Sequence, residues 1–552
     1  MTLRACTVCL LLAAVPVGAH AQAGSDPAPA RVDSVFASLN RSNGPGCALG
    51  VLRAGQLVYA RGYGMASLEQ GVAITPQSVF YIASTSKQFT AAAVALLAEE
   101  GRISLDDPIR KFVPELPAWA DSITVRHLVH HTSGVRDYLA LTIMAGGGFG
   151  DEIPEDRAIA LIARQRGVNF SPGARYSYSN SGYFLLSVIV KRVTGTSLRE
   201  YAEARIFRPL GMSHTHFHDD RTMVVPDRVE GYEPRPGGGW SSMRTSFALV
   251  GDGGLLTTIE DLAKWDGNFY HNVLGGRGDA FINQITTPGQ LRNSRQLGYA
   301  FGLMRDSYRG LPIVTHGGTF PGFTASLSRF PEQRFSVAVL CNDGTADTDK
   351  LATKVADLYL ATAFPPVTKT PVVALDSARA AGLAGRYELF PGMVVTISAR
   401  GGAVFASIPG MPAMPLAAKS ESSFALPLGG MNLTFRRGAS GRADTVVVRS
   451  LNTEDPSPRL PDPPTLTAAE RAQYAGSYWS EELHAIYSVE ADSAGLKIRP
   501  ANQKLQPLEP LLKDVFVMPG TRVVFERGKG NRITGASVSA GRSSGVRFVR
   551  QP

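Results

Sequence analysis

Ser84 and Lys87, in Ser84-Thr85-Ser86-Lys87, stand three residues apart at the head of an apolar-periodic run that includes Phe89, Ala92, Ala93, Leu96 and Leu97. On a helix such residues share a face, so the lysine amine lies beside the serine hydroxyl. A serine hydroxyl is a poor nucleophile until a nearby base takes its proton. Lysine serves as that base only when at least partly neutral, which burial or a neighbouring cation brings about. A helix N-terminus also supplies unpaired N–H groups and a positive field, which favour an oxyanion forming at Ser84. A lone S-x-x-K match carries little weight in a chain of this size. Its weight comes from company in order: Tyr178-Ser179-Asn180 follows, then His316-Gly317-Gly318.

These groups need elements to hold them. The helix after Ser84 spans about 88–100 and ends at Gly101. A second helix opens at Thr258-Ile259-Glu260-Asp261, with Thr257 or Thr258 as N-cap. Val58 to Gly64 reads as a hairpin arm, and Leu311 to Thr315, Phe323 to Phe330 and Phe335 to Leu340 read as strands, with His316-Gly317-Gly318 closing the first of them. Strands at both ends with helices between predict an α/β sandwich, an antiparallel sheet covered by helices. Two Pro-rich seams, at 364–371 and 456–464, read as linkers.

Beyond the first seam the chain repeats. Leu383-Ala384-Gly385-Arg386-Tyr387 matches Tyr474-Ala475-Gly476-Ser477-Tyr478, and Phe435-Arg436-Arg437-Gly438 matches Phe525-Glu526-Arg527-Gly528. The offset of 90 or 91 residues marks an internal duplication. Each copy alternates short apolar runs with Gly turns, the pattern of a small antiparallel barrel. The predicted layout is a signal peptide at 1–23, a hydrolase domain at 24–363, a linker at 364–378, barrel 1 at 379–455, a linker at 456–466 and barrel 2 at 467–552.

With S-x-x-K, Y-x-N and H-x-G in order, the large piece resembles the penicillin-recognising serine hydrolases: class C β-lactamases, DD-peptidases, related esterases and D-aminopeptidases. Leu128-Val129-His130-His131-Thr132-Ser133-Gly134 and Gly253-Gly254-Leu255-Leu256-Thr257-Thr258 agree with it. The resemblance covers about residues 30–360, and the three-part layout is similar to that of bacterial D-aminopeptidases. It implies a β-lactamase/transpeptidase-like fold and these roles. Ser84 is the nucleophile and Lys87 its proton acceptor. Tyr178 works with Lys87 and protonates the leaving group. Asn180 holds Lys87 and the substrate amide. His316 lines the substrate strand and orients Tyr178, beside Gly318. The N–H groups of Ser84 and Thr319 form the oxyanion hole. No metal or other cofactor is needed. Where the family's lactamases carry Lys, position 316 is His, whose neutral ring attracts a substrate carboxylate less. The reading is therefore an exported serine hydrolase of small amides, peptides or esters, D-aminopeptidase- or esterase-like. The alternatives are a β-lactamase or DD-carboxypeptidase, and a penicillin-binding sensor that does not turn over. A loop of barrel 2, around Ser480–His484 or Lys504–Gln506, is the candidate to reach the cleft, with Glu481 or Glu482 available to a substrate ammonium or, in the plainer reading, a solvent-exposed turn.

Composition agrees with an exported globular protein. Arg4 and the apolar run Cys9 to Val15 precede Ala19-His20-Ala21 and Ala21-Gln22-Ala23, as in a cleaved signal. Cys47 and Cys341 then remain, in apolar runs; they read as buried free thiols, with one disulfide as the alternative. The net charge of +9 lies mostly in the last third, with 22 basic and 15 acidic residues from 366 onward. No basic run interleaved with aromatics appears, so nucleic-acid binding is not expected. Weak attraction to an anionic cell envelope stays open. His214-Thr215-His216-Phe217-His218 alternates like a metal site, yet Asp219 and Asp220 follow in turn-like sequence, so surface histidines are expected.

Overall fold

The first strand of the chain pairs with one almost 300 residues later. In a computed structural model, which describes residues 26–148, 150–243, 248–276, 278–366, 375–427, 431–449 and 452–552, Cys47–Arg53 lies between Gln56–Tyr63 and Phe335–Cys341. The signal segment 1–23 and the core of the first seam, 367–374, fall outside the described residues. Phe323–Phe330, Leu311–Phe320 and Met304–Tyr308 complete a six-stranded sheet, and neighbouring strands are antiparallel throughout. Phe323–Phe330 and Phe335–Cys341 are buried along their whole length, because helices cover both faces of the sheet. On one face, Thr348–Tyr359 seals a cluster with Val51, Phe330 and Val337. On the other, the helix that follows Ser84 sits at the centre of the largest apolar cluster.

Cys47 and Cys341 are register partners on adjacent strands and form a disulfide. That replaces the free-thiol expectation. Pairing of strands so distant in sequence is set by register, which no local pattern encodes, and a thiol in an apolar run reads like any small hydrophobe.

Both repeats become antiparallel sheets, one closed into a ring and the other not paired end to end among the described residues. In barrel 2 the strands from Gly476–Ser480 to Ser543–Arg550 close completely. In barrel 1 the described strands form a nine-stranded sheet whose two end strands, Met414–Pro415 beside Ala403–Ser407 and Ala417–Ala418 beside Ser423–Ala425, are consecutive in the chain. The second Pro-rich seam is shorter than its sequence suggests, because Glu454–Leu460 is a strand containing Pro456 and Pro458. Both prolines lie where this strand pairs only with Ala443–Arg449; the pairing on its other side is confined to Arg459 and Leu460. A missing N–H is tolerated on such an open edge.

Candidate active site

The chain turns into the nucleophile helix through Ala83, whose φ of +46° is unusual for a residue with a side chain. Ala83–Ser86 forms a tight 3₁₀ turn that runs into the helix Lys87–Glu99. Ser86 anchors this turn, donating to Ala83 O and accepting from Leu255 N, while Thr90 Oγ1 donates to Gly251 O at 2.8 Å. Strand Leu311–Phe320 runs past it; it continues through His316 rather than stopping before it. A Cβ on Gly318 would lie 2.2 Å from Ile82 O, so only glycine lets the strand approach the nucleophile turn this closely. Thr85 Oγ1 donates to His316 O at 3.2 Å and joins the two segments.

Ser84, Lys87, Tyr178, Asn180, His316, Gly318 and Thr319 all come together here. Lys87 is 0% exposed, and its Nζ lies 3.1 Å from Ser84 Oγ and 3.0 Å from Asn180 Oδ1. It also donates to the Asp252 carbonyl and sits 4.9 Å from the Tyr178 ring centre. Burial drives its pKa from the usual lysine range down to about 7, partly opposed by the Asp252 carboxylate. Near neutral pH the amine is therefore substantially uncharged. Tyr178 lines the same cleft as Ser84. Burial pushes that phenol above its ordinary value, so it stays protonated and available as a donor. Ser179 caps the helix Asn180–Thr194 by accepting from Gly182 N, which sets Asn180 on its first turn.

His316 is held differently from its expected role. Its Nδ1 lies 2.7 Å from Gly317 O, which makes that nitrogen the donor and leaves Nε2 to accept from Tyr299, 3.2 Å away. Tyr299 in turn meets His131 Nε2 at 3.1 Å, and His131 Nδ1 accepts from Ser179 N. Each ring nitrogen in this relay has one role. Burial lowers the pKa of His131 well below the usual histidine range and that of His316 to about 3, so both are neutral. His316 does not orient Tyr178 directly: the ring centres are 6.2 Å apart, and it is His131 that packs on Tyr178, at 4.2 Å. The seven-residue motif around His130 and His131 is thus a positioning layer behind the phenol.

Two carboxylates and one cation join the set. Asp137 caps the helix Tyr138–Met144, and its Oδ2 accepts from Asn180 N at 2.9 Å. Asp252 receives the Tyr138 hydroxyl on its carboxylate and is raised above the usual carboxylate range by burial. Its signal in sequence was a charged residue between glycines, in Gly251-Asp252-Gly253-Gly254. Arg542, from the last hairpin of barrel 2, lines the same cleft of about 780 Å³ as Ser84, Tyr178 and Thr319. The loops expected to reach the cleft do other work. Glu482 is neither exposed nor open to a ligand: it is buried against Arg136 and accepts from the backbones of Arg166 and Arg547. Beside Lys504, Gln503 donates to Ile143 O. These groups knit the barrel to the hydrolase domain because its loops pack against the helices at 138–163. The histidines at 214–218 are not all on the surface either; His218 is buried and paired with Arg228.

The Beta-lactamase family matches residues 32–361. A D-aminopeptidase of Gluconobacter oxydans (strain 621H) is 27% identical over 522 residues, covering 92% of this chain and 94% of that protein. The octameric penicillin-binding protein homologue from Pyrococcus abyssi superposes with a TM-score of 0.55 at 25% identity, over 78% of this chain and 98% of that one. A D-amino acid amidase from Ochrobactrum anthropi SV3 shares the fold, with a TM-score of 0.52 at 21% identity over 60% of this chain and 99% of its own.

Proposed function

The chain belongs to the Beta-lactamase family, a serine hydrolase, and from that premise we propose that it cleaves D-aminoacyl amides or small peptides through an acyl-Ser84 intermediate. The observation that carries this reading is one hydroxyl 3.1 Å from a buried amine, with the Tyr178 phenol on the wall of the same cleft. Neutral Lys87 takes the Ser84 proton as Oγ attacks the substrate carbonyl. The backbone N–H groups of Ser84 and Thr319 receive the oxyanion; one such donor is worth about 3–4 kcal/mol. Tyr178 gives its proton to the departing nitrogen and is reprotonated through Lys87. Water then attacks the acyl-serine, the same pair taking its proton and returning one to Ser84 Oγ as the acid departs.

The D-aminopeptidase relative matches along nearly the whole chain, both barrels included, which supports the D-aminoacyl reading over an ester substrate. The uncharged His316 argues against a β-lactamase that depends on a cation at that position. Export is supported by the disulfide, a bond that persists in oxidising compartments. N-terminal sequencing of the protein from cell fractions tests it: a mature chain starting near residue 24 outside the cytoplasm is expected.

Incubation with D-aminoacyl amides, L-aminoacyl amides, p-nitrophenyl esters and a chromogenic cephalosporin, followed by intact and peptide mass spectrometry, tests the activity. An adduct on Ser84, turnover of the D-amides and loss of both in Ser84→Ala are expected. Label trapped once without product release would mark a sensor instead. Modification at another residue with Ser84 spared would overturn the acyl-serine mechanism.

A further inference from the structure

Arg542 stands at the tip of the hairpin between Ile533–Ala540 and Ser543–Arg550, and the tip is bolted down rather than loose. Its carbonyl accepts from Asn169 Nδ2 at 2.9 Å, Ser543 Oγ donates to Asp137 O at 3.2 Å, and Ser544 N donates to Asn169 Oδ1 at 2.8 Å. The guanidinium lies 5.3 Å from the Tyr178 ring centre, on the wall of the cleft that holds Ser84.

Its partner does not exhaust it. Asp137 already accepts Leu139 N and Ala140 N on Oδ1 and Asn180 N on Oδ2, and Arg542 adds only Nε, at 3.0 Å. Four donors fill that carboxylate. A guanidinium carries five N–H groups in a planar fork. Those on the two terminal nitrogens have no acceptor among the described residues, and the side chain keeps 46% of its exposure while Asp137 keeps 1%. A fixed, half-open fork with its outer edge unmet is suited to a carboxylate. Position 316, where the family's lactamases place a lysine, supplies no charge here.

We propose that Arg542 gives this cleft an anion subsite, in which the terminal guanidinium nitrogens take a carboxylate carried by the substrate. The inference rests on the acyl-serine reading above and adds a substrate class to it: acidic peptides or amides, recognised by a residue of the C-terminal barrel. The carboxylate comes either from the substrate's C-terminus or from an acidic side chain.

The test is protection of Ser84 from an uncharged fluorophosphonate, read by mass spectrometry as the initial labelling rate of the full chain. D-alanyl-D-alanine is compared with D-alanyl-D-alaninamide, and D-alanyl-D-glutamic acid α-amide with D-alanyl-D-glutamine α-amide. At least one acid is expected to protect at a tenfold lower concentration than its neutral partner, and the pair that shows it identifies the source of the carboxylate. Arg542→Gln is expected to erase that ratio, and Arg542→Lys, which keeps a point charge without the fork, to restore part of it. Equal protection within both pairs in the parent, or a ratio that survives Arg542→Gln, overturns the subsite while leaving the acyl-serine reading intact. A Ser84 that takes no label at all removes both.

Discussion

In both C-terminal barrels a tyrosine of the first strand returns its hydroxyl to the last turn of the helix before it. Tyr387 donates to Leu383 O at 3.3 Å and Tyr478 to Tyr474 O at 2.7 Å. Each ring then packs on the phenylalanine that the repeat places opposite, Phe435 at 5.9 Å and Phe525 at 5.5 Å. The two copies part company at their docking. The apolar core of barrel 1 is made of its own residues, whereas that of barrel 2 takes in Leu141, Met144 and Leu161 of the hydrolase domain. The last hairpin of each barrel meets the hydrolase domain. In barrel 1 it offers Asn452, which accepts from Gly298 N at 2.6 Å and braces the segment leading to Tyr299. In barrel 2 it offers Arg542, in the cleft itself. Duplication thus left one hairpin as a brace behind the hydrogen bonds of His131, Tyr299 and His316 and placed the other on the wall of the cleft that holds Ser84. The difference teaches that a shared fold says little about which copy serves the chemistry; the charge and placement of one turn residue decide it.

The contrast can be broken most severely at the buried contact of barrel 2. Glu482→Ala leaves the Arg136 guanidinium buried without its anion, an expected loss of about 3–5 kcal/mol, measured by urea unfolding. An unmoved midpoint would show that barrel 2 is not held by this pair.

In barrel 1, Asn452→Ala removes the acceptor of the Gly298 N–H and is expected to cost about 1–3 kcal/mol in the same assay. If the brace is only mechanical, the pH dependence of Ser84 labelling stays where it was.

A finer test uses the charges around Lys87, which must be neutral to act. The Arg542 cation lowers its pKa, and the Asp252 carboxylate raises it along with Asp137. Arg542→Gln should therefore move the acid limb of kcat/KM to higher pH and Asp252→Asn should move it to lower pH. Each shift is expected to be about half a unit, or roughly 0.7 kcal/mol. Shifts in the same direction would remove Lys87 from the role of base.

The smallest effect belongs to an exposed ion pair between barrel 1 and the hydrolase domain, Arg175 with Asp455, where the arginine side chain is 59% exposed. Asp455→Asn is expected to change stability by less than about 1 kcal/mol; a loss as large as that of Glu482→Ala would mean the two barrels are anchored alike.

The antiparallel sheet, the helix after Ser84 and the duplicated barrels were legible because each rests on short-range pattern: period-2 runs, a 3.6-residue apolar stripe, and a repeat offset that survives as spacing. The seam at 456–464 was misjudged because proline speaks against a strand only where its missing N–H would have faced a partner. Glu482 looked like a turn residue open to a ligand because a carboxylate in a polar stretch carries no mark of the arginine that will bury it. His131 and Tyr299 stayed hidden for a related reason: a buried histidine becomes a relay only through the hydroxyl it meets, and that hydroxyl is 168 residues away.

The proposed reacting pair is written in local spacing. Ser84 and Lys87 are one helical turn apart, so helical geometry alone brings hydroxyl and amine together, and the resemblance then supplied Tyr178, Asn180 and His316. Tertiary structure decided everything that depends on burial and long-range register: the lowered pKa of Lys87, the neutral rings of the relay, the bond between Cys47 and Cys341, and the arrival of Arg542 beside Tyr178. Desolvation and charge pairing act between atoms that meet in space, and at hundreds of residues' separation only the packed fold specifies which atoms those are.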